Sequence, residues 1–324
     1  MVLGRLLKRE PLSLAGVDIG TSAIHWVELG QDRHGVWIVE RCVCQTLEPQ
    51  WMMDGSIMRH EEIASVLRQL SVREGGRTKH VAMALPYSAV MTKMVALPGH
   101  LSEEEMEIQV EVEARQYMPF SLDEVCLDFC ITGPNVQRPE DVDVLLVIAR
   151  RERIQERLMM AAQAGLTLTI LDVDVHVVRL VLERLVATSP GMAHPLIALV
   201  QAGVTGVHTQ FIQADRVLYD SSEQDVGGAQ CHLVQGMVQA VARALQLFVS
   251  STPFHGVEHI MLFGSCANLD GLAAALQSHT GVETRVLNPF DGMVMAADVQ
   301  AAQLQQGAAS YLTACGLAMR RFLQ

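Results

Sequence analysis

Residues 16–29 run GVDIGTSAIHWVEL: a carboxylate, a glycine and two hydroxyls set between two apolar stretches. Residues of these types at this spacing can capture phosphate. The backbone N–H groups of Gly20, Thr21 and Ser22 would form a concave nest for phosphate oxygens. Glycine would be required for unusual dihedrals and for close backbone approach. Asp18 would hold Mg²⁺ through water, because Mg²⁺ sheds its water reluctantly. A plain tight hairpin explains the same residues, with Asp18 and the hydroxyls satisfying turn amides. A motif this short fits both readings.

Few other residues offer chemistry. The twelve histidines do not pair at metal spacing. His255 and His259 are interrupted by Gly256 and precede a strand, which makes them loop residues rather than ligands. No G-x-S-x-G elbow or Cys/His arrangement marks a covalent nucleophile. The seven cysteines are an odd number without metal spacing. Cys42 with Cys44, and Cys126 with Cys130, read as small core residues of strands in a reducing cytoplasm. The acids from Glu103 to Glu113 read as a solvated helix face. Gln116-Tyr117-Met118-Pro119-Phe120 has two readings: core at a helix end, or part of a groove that an extended apolar tail could enter.

The chain that must position these residues has 324 of them, enough for two ordinary domains or one bilobed one. Half is hydrophobic and 19% is charged, so a substantial core is expected. Lys+Arg 24 against Asp+Glu 36 gives −12, which argues against a nucleic-acid or anionic-membrane surface. The opening MVLGRLLKREP lacks the apolar core of a secretion signal. The longest uncharged stretch, residues 185–214, is broken by Ser189-Pro190-Gly191 and reads as a buried hairpin, so no membrane span is expected.

Periodicity predicts strands at 14–17, 23–29 and 36–44, a helix at 58–72, and strands at 81–85 and 90–97. Residues 102–117 fit both a strand and a helix period; Ser102 with Glu105 makes a capping box and decides for helix. Strands at 124–132 and 142–148, a helix at 152–164, a strand at 168–173 and a helix at 175–186 follow. Past the hinge candidate at Ser189-Pro190-Gly191 the opening pattern returns as LIALVQAGVTGVHTQFI, residues 196–212. A third strand at 217–219, a long helix at 226–249, a strand at 259–263, a helix at 269–278 and a strand at 283–287 complete it. Two halves with one opening pattern predict a duplicated α/β unit with a cleft between.

Asp18-Ile19-Gly20-Thr21 resembles the first phosphate motif of the actin-like ATPase superfamily. Residues 196–212 stand where its second phosphate motif would be, with Gly203 and Thr205 in the turn. LFGSCANLDGL, residues 262–272, stands where its adenosine motif would be, with Gly264 and Ser265 in place of Gly-Gly. Within that superfamily, residues 97–129, 142–174 and 242–251 resemble the PilM family of type IV pilus assembly, the first of them through its Gln116-Tyr117-Met118-Pro119-Phe120 ending. The resemblance implies an α/β, actin-like duplicated ribonuclease-H-type fold of two lobes with an inserted small subdomain. Residues 1–84 and 158–190 would form the first lobe, 85–157 the insertion and 191–324 the second lobe, with one wall subdomain largely missing near 229–241.

The resemblance also implies a function. A PilM-like protein is a cytoplasmic adaptor, peripheral on the inner membrane, that docks the N-terminal tail of the inner-membrane protein PilN. It links other pilus platform and motor proteins and binds no nucleic acid; a homodimer stays open. The insertion would supply Gln116, Tyr117, Pro119 and Phe120 to the tail. ATP and Mg²⁺ are the implied cofactors, on Asp18, Gly20, Thr21, Ser22, Gly203, Thr205, Gly264 and Ser265, with the metal at Asp18. Three departures point to a vestigial site. Gln201 replaces the acid of the second phosphate motif and can serve neither as general base nor as an anchor for Mg-bound water. Ser265 replaces a glycine, and residues 229–241 carry neither Lys nor Glu for a nucleoside. The alternatives are an active ATPase, using Asp172 or Asp174 as catalytic carboxylate, or a filament scaffold like FtsA. The residues 308–324 read as a last core helix rather than a membrane helix.

Overall fold

Alternating apolar residues at the start of the chain produce an antiparallel meander of β1 (Leu14–Ile19), β2 (Ala23–Gln31) and β3 (Trp37–Thr46). The computed structural model describes residues 13–322 except 49, 54–55, 119, 136, 188–194, 205, 214–215, 225–229, 298, 300–303 and 305–306. The expected hinge at Ser189-Pro190-Gly191 and the candidates Thr205 and Pro119 therefore lie outside the described residues. After a short hairpin of β4 (Met52–Met53) and β5 (Ser56–Ile57), α1 (His60–Val72) buries Ile63, Val66, Leu67 and Leu70. That is one helical stripe laid on the meander. β6 (His80–Leu85) then pairs parallel with β1.

An excursion follows: β7 (Val90–Pro98), α2 (Glu103–Arg115), β8 (Val125–Pro134) and β9 (Asp141–Arg150). The three strands form their own antiparallel sheet in the order β7-β9-β8. Ser102 and Glu105 form the capping box that starts α2, and Met106, Val110 and Ala114 are buried against the sheet. Ile108 and Val112, which a strand would have buried, are exposed, and the acids of 103–113 face outward.

The chain returns through α3 (Arg151–Gln163), which packs on α1, to β10 (Thr167–Val173), parallel to β6. The expected boundary at 157/158 falls inside α3. α4 (Asp174–Ala187) leads to the second half.

There β11 (Leu196–Ala202), β12 (Gly206–Gln213), β13 (Arg216–Gln224), α5 (Gln230–Ser251), β14 (His259–Phe263), α6 (Leu272–Thr280) and β15 (Glu283–Val286) repeat the first. The sheet order β13-β12-β11-β14-β15 matches β3-β2-β1-β6-β10, with the same parallel and antiparallel pairs. From residue 230 on, the stretch near which the wall subdomain was expected to be largely missing is the opening half of α5, within the helix expected at 226–249. α5 is long and apolar enough over Leu233–Ser251 to cross a bilayer by length and composition. Its Met237, Val241, Ala244 and Phe248 instead fill the second-half core.

The chain ends by crossing back. β16 (Val294–Met295) extends the first sheet beside β3, and α7 (Leu312–Met319), buried along its whole length, wedges between β1 and α4. Two glycines make that wedge possible. A Cβ at Gly16 would lie 2.0 Å from the Ala314 carbonyl oxygen, and one at Gly316 would lie 2.1 Å from that of Val177. One core cluster therefore runs from Val27 and Leu29 through α4 and α7 to Leu199 and Met261. The strand cysteines depart from expectation: Cys44 and Cys130 are exposed, because they fall on the outer faces of β3 and β8.

Candidate functional site

The duplicated hairpins aim their turns at one cleft of about 250 Å³ between the halves. The register shows how alike they are. Asp18 pairs with His25 across β1 and β2, and Gln201 pairs with His208 across β11 and β12. The Gly20 N–H donates to the Ala23 carbonyl, and the Gly203 N–H to that of Gly206, both at 3.0 Å. Asp18, Gly20, Thr21, Ser22, Gly203, Gly264 and Ser265 all line the cleft. Of the unusual dihedrals and close backbone approach expected of Gly20, a positive φ is not found. The turn needs glycine for space, since a Cβ there would meet the Ala23 carbonyl oxygen at 3.1 Å. Gly264 does need its conformation: at φ +97 its missing Cβ faces the Ala202 carbonyl oxygen at 2.6 Å, which lets the β14 loop close on β11.

Two carboxyls are perturbed in this cleft. Asp18, one quarter exposed, is pushed up to about 7, first by desolvation and then by the charge of Asp174, against the pull of Arg157. Asp174, at the start of α4, is pushed up to about 6 by desolvation, against His208 and its own hydrogen bonds. Those bonds come from the Tyr87 N–H at 3.0 Å and the Val175 N–H at 2.7 Å. The two aspartates weighed as catalytic candidates thus separate. Asp172 does not line the cleft; it is paired with Arg320, Nη2 to Oδ2 at 2.5 Å.

The histidines also diverge. His25 is pulled down to about 4 by desolvation; its Nδ1 lies 4.0 Å from Asp18, too far for a hydrogen bond, and its ring packs edge-on to Tyr311. Burial opposes the charged form of His208 too, but the hydrogen bond and charge of Asp220, with Asp174 behind, outweigh it and raise its pKa. Sequence reasoning passed over both, although each stands seven residues after its hairpin's Asp18 or Gln201.

It also passed over Arg157. This side chain lines the cleft from α3, is 3% exposed, and leaves Nε and Nη1 without a hydrogen-bond partner. The available signal was an arginine on the helical stripe of Met160, Ala161 and Ala164, where a charge does not belong unless it is used.

The donor set suits one implied ligand and not the other. The Thr21 and Ser22 amides, with the Arg157 guanidinium at the cleft wall, suit a phosphate. Mg²⁺ wants several hard oxygen ligands, whereas Asp18 lies beside an arginine and faces the neutral amide of Gln201 across the cleft. Among the described residues no group of three or more His, Cys, Asp and Glu side chains is placed to hold a metal ion.

The residues expected to meet a partner lie elsewhere. Gln116 caps α2, Tyr117 sits under the Lys93 ammonium at 4.7 Å, and Phe120 under the Arg150 guanidinium at 4.2 Å. Phe120 lines a hollow of about 400 Å³ at the start of α3. A larger groove of about 820 Å³ runs between the three-stranded sheet and α4, and neither Gln116, Tyr117 nor Phe120 lines it. Its floor is the sheet face turned away from α2, with Thr92, Met94, Cys130, Thr132 and Leu145, and one wall is Val175, His176 and Leu180.

Comparison with known proteins follows the same lines. The family described as type IV pilus assembly protein PilM matches residues 16–235 and 232–322. A solved structure described as a PilM–PilN type IV pilus biogenesis complex shares the fold, with a TM-score of 0.80 and 24% identity over 96% of this chain and 99% of that one. The ethanolamine utilization protein EutJ from Carboxydothermus hydrogenoformans gives a TM-score of 0.49 at 12% identity, over 94% and 88%. The cytoplasmic domain of EpsL from the type II secretion system of Vibrio cholerae gives 0.47 at 11%, over 96% and 94%. The fold is the actin-like α/β one that the duplicated sheets describe.

Proposed function

Because this chain belongs to the family of the type IV pilus assembly protein PilM, we propose that it is a docking adaptor of a type IV pilus inner-membrane platform, receiving the cytoplasmic N-terminal tail of a PilN-like membrane protein. The observation that carries this reading is the groove between the three-stranded sheet and α4. Its floor mixes apolar residues with threonines, and Met94, Ile131 and Val217 around it are 37%, 55% and 36% exposed. Exposed apolar surface of this kind marks an interaction site. An extended tail laid there would bury alternate side chains against the sheet face and place its main chain near a sheet edge. The structural neighbour described as a PilM–PilN complex supports the choice of partner.

In this reading the protein works at the cytoplasmic face and is held at the membrane by its partner. Its cleft is a nucleotide site that no longer turns over ATP, because Gln201 offers neither base nor metal anchor. The 116–120 segment contributes at most a rim, through Tyr117 beneath Lys93, which also lines the groove.

The test is titration of the protein with a synthetic peptide of the partner's N-terminal tail. Met94→Asp should weaken binding about tenfold or more, the worth of one buried Met side chain, while Phe120→Ala leaves it within about twofold. Loss in Phe120→Ala with Met94→Asp unaffected would move the tail to the hollow at α3. Failure of the unaltered protein to bind the peptide would end the adaptor reading.

A further inference from the structure

The duplication runs down to single residues. Asp18 pairs with His25 as Gln201 does with His208, and from there the two ladders keep step. Glu28 opposite Arg41 matches Phe211 opposite Tyr219, and Leu29 opposite Val39 matches Ile212 opposite Val217. Each outer strand carries its register shift between those same two pairs, with Glu40 and Leu218 as the extra residues. A bulge is a specific backbone feature, so its repetition aligns β3 with β13 residue by residue. The outer edges differ. β16 lies parallel along β3, with Val294 opposite Ile38 and Met295 opposite Val39, and the Ala296 N–H donates to the Val39 carbonyl at 3.0 Å. β13 pairs with β12 on one side and, among the described residues, with no strand on the other. Exposure follows suit: Val39 is buried, whereas its counterpart Val217 is 36% exposed.

An open strand edge is a template for another strand. Neither lysine nor proline, the usual deterrents, stands on Arg216–Gln224. The bulge does not protect the edge either, because β3 carries the same one and accepts β16. The edge also opens in a telling place: Val217 and Leu218 line the groove assigned above to the partner's tail, together with Met94, Ile131 and Thr132. By the repeat, the Val217 carbonyl corresponds to the Val39 carbonyl that β16 engages. Main-chain groups shut off from water must be paired, so a segment filling the groove has to bring N–H and C=O groups to this edge. We infer that the partner's tail pairs through its main chain with β13 at Val217. It becomes the sixth strand of the second sheet, in the place that β16 holds in the first. This rests on the adaptor reading and adds to it that the second lobe holds the tail as well as the three-stranded sheet does. Alternate apolar side chains of the tail supply the rest of the contact.

The experiment is titration of the whole chain with a synthetic peptide of the tail, N-methylated at one backbone nitrogen at a time. Each methyl group deletes one donor and leaves every side chain in place. Affinity should fall about tenfold or more at every second position of the paired stretch and stay within about threefold between them, because successive residues of a strand bond to opposite sides. On the protein, Val217→Pro deletes the N–H beside the outward carbonyl at an edge position, where proline is tolerated, and should weaken binding about tenfold. Val217→Ala, which keeps the main chain, should stay within about threefold. If Val217→Pro does not fold, the methylation scan on the unaltered protein decides alone. A scan without the two-residue period would overturn the inference, while the bound peptide itself would uphold the adaptor reading. A clear period with Val217→Pro binding as tightly as the unaltered chain would put the tail on another edge and overturn it as well. No binding of the unmethylated peptide would end both.

Discussion

The two hairpins that face the cleft share a backbone and have parted in chemistry. Each carries a polar residue at the end of its first strand, a glycine two residues on, the same 3.0 Å turn hydrogen bond, and a histidine in register with the polar residue. The first holds Asp18 above a histidine whose pKa burial lowers; the second holds Gln201 above a histidine whose pKa Asp220 raises against burial. A duplicated sheet conserves hydrogen-bond geometry because every backbone group must be paired. Side chains at the strand ends carry no such obligation. The lobes therefore resemble each other where the ladder dictates and differ where a ligand or partner does.

The largest effect comes from forcing one lobe to take the other's residue in the core. Gly16 on β1 corresponds to Leu199 on β11, two residues before Asp18 and Gln201 respectively. β1 has α7 backbone against it at that point, whereas Leu199 is packed into the core that joins the halves. Gly16→Leu should abolish folding, since even a Cβ would sit 2.0 Å from a carbonyl oxygen and α7 would have to leave. Leu199→Ala should cost about 2–5 kcal/mol as an ordinary core cavity and leave a folded chain. Soluble yield and urea unfolding measure both. A well-folded Gly16→Leu would mean that α7 does not seat on β1.

The next effect isolates the acid that only the first hairpin keeps. Asp18 titrates near 7 in the folded chain and near its ordinary 3.8 when unfolded. Between those values the folded state binds more protons, so stability falls as pH rises from about 4 to 7 and is level above. Asp18→Asn should remove that loss, stabilising the protein at pH 8 by an amount on the order of 4 kcal/mol at most, and by almost nothing at pH 4. Urea midpoints at the two pH values decide it. Equal shifts at both would show that Asp18 is not held in its unusual state.

Much of this was legible beforehand, and the parts that were not have physical reasons. Strand and helix positions followed from periodicity, and Ser102 with Glu105 settled the one segment with two periods, because a cap specifies a helix start. The duplication was visible as Gly-hydroxyl turns between apolar runs, and the cleft followed from it. Arg157 was not legible as a cleft residue: whether an arginine on an apolar stripe is buried or reaches solvent depends on what packs over it. Nor was the groove, whose floor joins β7, β8 and β9 across more than fifty residues of sequence. Cys44 and Cys130 were misjudged because alternation gives the period of a strand but not which face is covered.

The smallest effects set the two histidines against each other. His25 is buried, with Nδ1 unpartnered, and is pulled down to about 4 from 6.5. Folding therefore excludes its proton, and stability is lost as pH falls through 6.5 towards 4. His25→Gln should relieve about 2 kcal/mol of that loss at pH 5 and nothing at pH 8, after subtracting the lost contact with Tyr311, which is independent of pH. His208 has the opposite sign. Its raised pKa contributes stability that is complete below 6.5 and vanishes as pH rises through the folded value. His208→Gln should therefore cost about 1.5–3 kcal/mol at pH 6 and progressively less as pH rises, the worth of one hydrogen bond to a charged partner. Asp220→Asn should reproduce that dependence, because it removes the same pair from the other side. If the two histidine variants gave parallel stability curves against pH, the hairpins would be alike in charge as well as in backbone. Curves that cross place the divergence of the lobes in two residues holding the same position of one repeated ladder.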